Sequence, residues 1–185
     1  MTVYVALLRA INLAGHNSIA MADLKATFAK LGFTDARSLL QSGNFVFSCA
    51  KRSSEELERL LEQGTAKHNK LTADYFVRTA KEWGEIVAAN LFPKEAKDDP
   101  GHLVVMALKG AAKAADVAAL QAAIKGPETA RGGGKNVYLY YPAGIGTSKL
   151  TAKVIEKHLG HRGTARNWNT VLKLLALAQA RSTQI

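Results

Sequence analysis

The residues best suited to chemistry lie in a glycine-flanked loop late in the 185-residue chain. Gly144 and Gly146 let the backbone approach a ligand closely. Ser148 and Lys149 follow at the start of a predicted helix over 148–159, where free N–H groups and a lysine favour an anion. The spacing matches neither a Walker A loop nor a dinucleotide-binding fingerprint. A phosphate site and an ordinary strand-to-helix turn with a Thr or Ser cap both explain this loop.

Lysines continue beyond this loop at a regular spacing. Lys149, Lys153 and Lys157 are four residues apart, which places them on one face of the predicted helix. Like charges at this spacing repel each other by roughly a few tenths of a kcal/mol. Phosphate binding would offset this cost, and a solvated helix face is the alternative interpretation.

A second group of candidates precedes the last predicted helix, in the segment Arg166-Asn167-Trp168-Asn169. Arginine and asparagine side chains bind phosphate or base edges, and a tryptophan ring can stack on a base. The alternative is structural, with Asn167 as the helix cap and Trp168 as a core anchor. The structural interpretation is stronger for Asn167 and Trp168 than for Arg166 and Asn169.

Five polar residues of the first half become candidates through the expected fold. They are Arg9, Asn12, Gln41, Ser42 and Asn44. In a ferredoxin-like half, the end of the first strand and the tip of the central hairpin lie at the same sheet edge. The two groups of second-half candidates share an edge by the same reasoning, so the polar clusters could converge in a pocket between the halves. Hydrogen bonding within turns and loops is the alternative.

Other catalytic signals are weak. Cys49 ends a predicted strand without an adjacent histidine and is expected to be a small buried side chain. His158 and His161 have a ligand-like spacing, but Gly160 interrupts the helix and no third ligand is evident, so we predict no metal site. No cofactor is implied and no known catalytic motif occurs, so catalytic residues stay unassigned and enzymatic activity stays undecided.

The composition favours a soluble protein with a basic second half. The net charge is +10, and residues 93–185 carry +8 of it, with 14 Lys/Arg against 6 Asp/Glu. A local basic field attracts phosphates on nucleic acids, nucleotides or metabolites, although a solubilising surface charge is the alternative. A single cysteine fits a reducing compartment. The sequence shows neither a signal peptide nor an apolar run of membrane-spanning length, so we expect a cytoplasmic protein that does not bind membranes.

Hydrophobic periodicity and turn residues predict an α+β chain of two ferredoxin-like halves. The first half, 1–78, alternates β-α-β-β-α-β, with its two central strands joined by Ser42-Gly43-Asn44. A connecting helix and a charged, proline-flanked linker fill 79–101. The second half, 102–185, repeats the plan with strands at 102–108, 128–131, 137–141 and 163–166, the two middle ones forming a hairpin around three glycines. A C-terminal helix follows.

Four segments together resemble one bacterial family, the domain of unknown function 1697. They are residues 7–12 (LLRAIN), 40–47 (LQSGNFVF), 141–150 (YPAGIGTSKL) and 166–174 (RNWNTVLKL). The resemblance implies two α/β-plait domains, in agreement with the element order, and it implies no activity. The chain departs from the family pattern at Ala10, where glycine is usual, and at Ala20, where proline is usual.

Three hypotheses about function follow from these patterns. The first is a binding module for a phosphate-bearing ligand, either nucleic acid or nucleotide, held by the basic second half. The second is an enzyme that acts on a small phosphorylated or carboxylated metabolite in a pocket between the halves. The third is an interaction protein whose exposed sheet faces form a homodimer.

Overall fold

The computed structural model describes residues 1–9, 19–40 and 43–183 and combines helices with antiparallel sheets. These ranges contain seven α-helices, one four-stranded sheet and one three-stranded sheet. The predicted α+β class is therefore confirmed. The chain divides into two compact units, the first formed by Met1–Glu85 with Lys173–Ile185 and the second by Ile86–Leu172.

The first unit is built on the four-stranded sheet. In chain order its elements are β1 (Thr2–Arg9), α1 (Met21–Lys30), β2 (Thr34–Leu39), β3 (Asn44–Cys49), α2 (Ser54–Asn69), β4 (Asp74–Thr79) and α3 (Ala80–Ala88), the last of which runs on into the second unit. The strands lie in the order β2-β3-β1-β4, and each neighbouring pair is antiparallel. β1 thus has a hydrogen-bonded strand on each side, and its residues from Val3 to Leu8 are all buried, which agrees with its continuous apolar sequence.

Local sequence signals set the helices of the first unit. The sequence Ser53-Ser54-Glu55-Glu56 has the spacing of a capping box, and Ser53 does cap α2 by accepting a hydrogen bond from the Glu56 amide at 3.1 Å. Phe28 of α1 is fully buried and stacks on Phe45 of β3 with 4.7 Å between ring centroids. The amphipathic helices therefore cover one face of the sheet with an aromatic core.

The second unit is built on the three-stranded sheet. Its elements are α4 (Pro93–Asp98), β5 (Leu103–Ala112), α5 (Ala114–Ala123), β6 (Thr129–Tyr140), a 3-10 turn (Ile145–Thr147), α6 (Ala152–Leu159), β7 (Gly163–Asn167) and the first part of α7 (Trp168–Ser182). β5 is the central strand, antiparallel to both β6 and β7. Residues of α5 and α6, including Leu120 and Ile155, bury one face of this sheet.

Two predicted elements differ in detail from the structure. The helix predicted from residue 148 begins at Ala152. The segment predicted as a linker contains α4, with Pro93 at its first turn.

The strands predicted at 128–131 and 137–141 both lie within β6, whose chain turns back at the glycines between them. Gly132 and Gly134 have positive φ values of 114° and 65°. An added Cβ at Gly132 would lie 3.2 Å from the Asn136 carbonyl oxygen, a distance that an extended strand does not allow. The reversal at three glycines that the sequence predicts is therefore present inside β6.

No helix in the described ranges has both the length and the apolar composition that crossing a membrane requires.

Candidate functional site

A cavity of about 430 Å³ lies in the second unit beside the loop that the sequence singles out. Its walls come from the end of α5, the turn that leads into β6, the loop at 143–150 and the first turn of α6. The lining residues are Leu120, Ala123, Ile124, Lys125, Gly126, Pro127, Glu128, Ala143, Thr147, Ser148, Lys149, Leu150 and Val154. Most of these side chains are apolar, and the charged ones are two lysines and one glutamate.

Backbone hydrogen bonds give the loop at 143–150, here called the glycine loop, its shape. Gly144 has φ +84°, and its amide donates to the Tyr141 carbonyl at 2.8 Å. A side chain is strained at this φ, so the sharp turn explains why glycine occupies the position. The 3-10 turn follows, and the Ser148 amide donates to the Ile145 carbonyl at 3.2 Å. The loop is therefore folded on itself before α6 begins.

Ser148 and Glu128 join the glycine loop to the opposite wall of the cavity. The Ser148 hydroxyl donates to Glu128 Oε1 and accepts a hydrogen bond from the Leu150 amide at 3.0 Å. Its single proton is committed to the carboxylate, so Ser148 holds Glu128 in place. Ser148 therefore acts on Glu128 in this structure, and its place in a ligand site stays a prediction.

The charges at the cavity have different exposures. Lys125 and Lys149 are exposed, whereas Glu128 is half-buried. Tyr141 lies beneath the loop and donates its hydroxyl to the Leu150 carbonyl at 3.1 Å. Burial, and then the Glu128 carboxylate, raise the pKa of Tyr141 to about 12, so this phenol stays neutral at physiological pH. The cavity therefore offers two exposed lysine donors and one carboxylate acceptor that Ser148 holds in place.

The glycine loop is not the start of a helix. Thr151 is the N-cap of α6, and its hydroxyl accepts from the Val154 amide at 3.4 Å. Lys149 consequently precedes the helix, and the predicted three-lysine helix face reduces to Lys153 and Lys157, both exposed. Within the described residues, Lys149 lines the cavity but Lys153 does not.

The candidates around the start of α7 lie elsewhere in the second unit. Arg166 is on β7 opposite Val105 and donates to Thr164 Oγ1 at 2.9 Å and to the Ala165 carbonyl at 2.8 Å. Burial lowers the pKa of Arg166 to about 10, which leaves it cationic at neutral pH. Among the described residues, none from Arg166 to Asn169 lines the cavity.

The structural interpretation of the helix start at α7 is confirmed. Asn167 Oδ1 accepts a hydrogen bond from the Thr170 amide at 3.0 Å, which is a cap contact. The Trp168 side chain is 4% exposed and belongs to the core. Asn169 is exposed on the first turn.

The first-unit candidates are only partly described. Asn12, Gln41 and Ser42 lie outside the described residues. Asn44 is buried and donates from Nδ2 to the Leu39 carbonyl at 3.2 Å, a contact within the β2–β3 turn. Arg9 ends β1 opposite Asp74.

The end of the first strand and residues 43–44 do lie side by side. The Leu8 amide donates to the Gly43 carbonyl at 2.7 Å, and Leu7 pairs with Asn44. The strand order β2-β3-β1-β4 places the end of β1 beside the start of β3.

The weaker catalytic candidates, Cys49, His158 and His161, make packing contacts or local hydrogen bonds. Cys49 is 5% exposed, and burial raises the pKa of its thiol, so the expected buried small side chain is confirmed. His158 Nδ1 lies 2.9 Å from the Val154 carbonyl within its own helix. His161 packs against Gly110, where an added Cβ would collide with the ring. The described residues contain no group of three or more His, Cys, Asp or Glu side chains placed to hold a metal.

The sequence analysis missed two charged residues of the cavity lining, Lys125 and Glu128. The signal was present as the turn sequence Lys125-Gly126-Pro127-Glu128 between a helix and a strand. Its link to Ser148, 20 residues further along the chain, depends on packing between segments that no local pattern specifies.

Comparisons with known proteins give a family and a fold without an activity. The family model for proteins of unknown function DUF1697 matches residues 1–138, which end before the glycine loop. No curated protein matches the chain. The solved structure of the conserved bacterial protein SP0830 from Streptococcus pneumoniae has a TM-score of 0.75 and 22% identity, covering 97% of this chain and 99% of that one. At this identity the likeness concerns the fold alone.

Proposed function

Because the chain belongs to the DUF1697 family, a family of unknown function, we propose a function from the geometry of its cavity. The protein binds a small phosphate-bearing molecule, with a nucleotide as the best-fitting class. The observation that carries the proposal is the placement of Lys125 and Lys149 on one cavity whose walls are otherwise mostly apolar. An apolar wall suits a ring, and lysine ammonium groups suit a phosphate.

The size and the surroundings of the cavity support a small molecule. A volume of about 430 Å³ falls within the range of roughly 300–1,000 Å³ that is typical of ligand sites. Residues 125–185 carry ten Lys/Arg against two Asp/Glu, and this field would raise the local concentration of anions. A nucleic-acid strand fits less well, because a strand carries a phosphate at every nucleotide and the Glu128 carboxylate on the cavity wall repels phosphates near it.

The test compares adenosine monophosphate (AMP), single-stranded DNA and single-stranded RNA by titration calorimetry at about 50 and about 200 mM salt. Lys149→Ala is expected to weaken AMP binding about tenfold, because one charge-assisted hydrogen bond is lost. Lys157→Ala is the matched control, since it removes the same charge from an exposed position on α6 outside the cavity. The proposal fails if AMP does not bind, or if both variants weaken binding equally.

An enzyme acting on a small phosphorylated or carboxylated metabolite is the second candidate, and one cluster favours it. Asp99 Oδ2 accepts from Tyr140 OH at 3.0 Å and lies 2.9 Å from His102 Nδ1. His102 Nε2 faces Gly144, where an added Cβ would lie 3.6 Å from that nitrogen. A histidine oriented by a carboxylate beside a ligand loop is an arrangement that acid–base catalysis uses. Turnover of a phosphate ester that His102→Gln abolishes would favour this candidate over simple binding.

We further propose that the first unit is ferredoxin-like, which its strand order β2-β3-β1-β4 supports. The equivalent proposal for the second unit has weaker support, since its sheet has three strands. The domain bounds of 1–78, 79–101 and 102–185, the cytoplasmic location and a homodimer stay predictions.

A further inference from the structure

Glu128 is an acidic residue in a mostly apolar cavity whose other charged lining residues are lysines. Ser148 donates its hydroxyl proton to Oε1, and Oε2 lies against Gly126, where an added Cβ would collide with it. The hydrogen bond from Ser148 holds the carboxylate at the cavity wall, and the absence of a side chain at Gly126 leaves room for Oε2. A carboxylate only accepts hydrogen bonds, and Ser148 has no second proton to offer a ligand.

The cavity is therefore poorly matched to a bare phosphate. A phosphate near Lys125 and Lys149 gains two cations, but it also meets the negative charge of Glu128 across a half-buried site. Like charges in such a place repel each other more strongly than in bulk water. A ligand that brings a hydrogen-bond donor to Glu128 converts this repulsion into a charge-assisted hydrogen bond.

We infer that Glu128 selects a ligand that carries a hydroxyl or amine donor as well as a phosphate, as a nucleoside monophosphate does. The inference rests on the proposed binding of a phosphate-bearing molecule in this cavity. It assigns a separate role to each group: the lysines bind the phosphate, Glu128 binds the sugar hydroxyl or base amine, and Ser148 positions Glu128. The apolar residues on α5 and α6 receive the ring.

Titration calorimetry of AMP and of inorganic phosphate binding to the Glu128→Gln variant tests these roles. Glutamine keeps the shape of the side chain and an oxygen that can accept from Ser148, so the fold is preserved. The variant is expected to bind AMP about fivefold more weakly and inorganic phosphate more tightly than the natural chain does. Opposite signs are diagnostic, because removing a negative charge by itself would tighten both. Glu156→Gln is the matched control, since Glu156 accepts from the Gly163 amide at 2.8 Å and is outside the cavity lining.

The outcomes separate the inference from the proposed function. If Glu128→Gln tightens AMP and phosphate together while Lys149→Ala still weakens both, the cavity binds phosphate and the selective role of Glu128 is refuted. If neither AMP nor inorganic phosphate binds the natural chain, both the proposed function and the inference are refuted. Weaker AMP binding, tighter phosphate binding and an unaffected Glu156→Gln variant would support both.

Discussion

Replacing Arg181 by methionine is expected to lower the free energy of unfolding by about 3 kcal/mol. Arg181 is 6% exposed near the end of α7 and reaches the β2–β3 edge of the first unit. Its Nε donates to Ser48 Oγ at 2.5 Å, one terminal nitrogen donates to the Thr34 carbonyl at 2.9 Å, and the other donates to Asp35. Methionine keeps an apolar stem of similar length but removes every donor.

The magnitude follows from what each partner loses. Ser48 is fully buried, so its unsatisfied hydroxyl costs about 1–3 kcal/mol. The Asp35 side chain is 54% exposed, so water replaces most of what Arg181 gave it. Adding the Thr34 carbonyl brings the total to about 3 kcal/mol, equivalent to a Tm decrease of about 6–12 °C for a chain of this size.

Arg37→Met is the matched control, because Arg37 pairs with the same carboxylate at 3.1 Å but is 49% exposed. An exposed pair contributes about 0–1 kcal/mol, so urea unfolding of the two variants should separate them clearly. Equal losses in the two variants would refute the reasoning that burial, and not charge pairing, decides the contribution.

Acid unfolding gives a second readout of the same contact. The hydrogen bond from Arg181 is the largest influence on Asp35 and lowers the pKa of that carboxyl. A lowered pKa stabilises the folded chain at pH values above the ordinary aspartate pKa of about 3.9. This stabilisation is lost as the pH falls through the lower pKa of Asp35 in the folded chain. Arg181→Met should therefore lose less stability on acidification than the natural chain does.

Two further predictions concern backbone strain and alkaline pH. Lys70 caps α2 at φ +53°, so Lys70→Gly should raise the free energy of unfolding, measured in urea, by about 1 kcal/mol. Gly160→Ala should lower it by about as much, because Gly160 follows α6 at φ +71° and has open space around it. An unchanged free energy of unfolding in Lys70→Gly would contradict the proposed backbone strain at Lys70. Burial raises the pKa of Tyr75 to about 12, and its hydroxyl lies 2.8 Å from Thr65 Oγ1. Stability should therefore fall by about 2–3 kcal/mol between pH about 10 and about 12, and denaturant titrations of Tyr75→Phe should show a smaller fall.

Most of the first unit could be predicted from the sequence because its signals are local. The capping box at Ser53, the turn chemistry at Gly43 and the helical spacing of Leu24 and Phe28 act within a few residues. The result is an alternation of elements that specifies the sheet.

The extent of β6 has a tertiary cause. Three consecutive glycines are typical of a turn, and the chain does turn back at Gly132. β5 is ten residues long and pairs with β6 as far as Gly134, so strand pairing continues into the glycine segment. No local pattern in the sequence specifies that extension.

The candidate site was predictable only in part. Glycine and lysine in the loop indicate where a ligand could approach, and this reasoning found Lys149. It placed the helix start too early, because Ser148 and Thr151 are both suitable caps and the sequence does not rank them. The structure uses Thr151, since Ser148 bonds to Glu128 and Leu150 is buried beside the cavity.

The most direct test of the proposed site is NMR chemical-shift mapping of the ¹⁵N-labelled chain titrated with AMP. We expect the largest saturable shifts at the amides of Lys125, Glu128 and Ser148, with small shifts at Lys157 and in the first unit. Shifts centred on Arg166 and Asn169, or on Arg9 and Asn44, would contradict the assignment of the ligand site to this cavity.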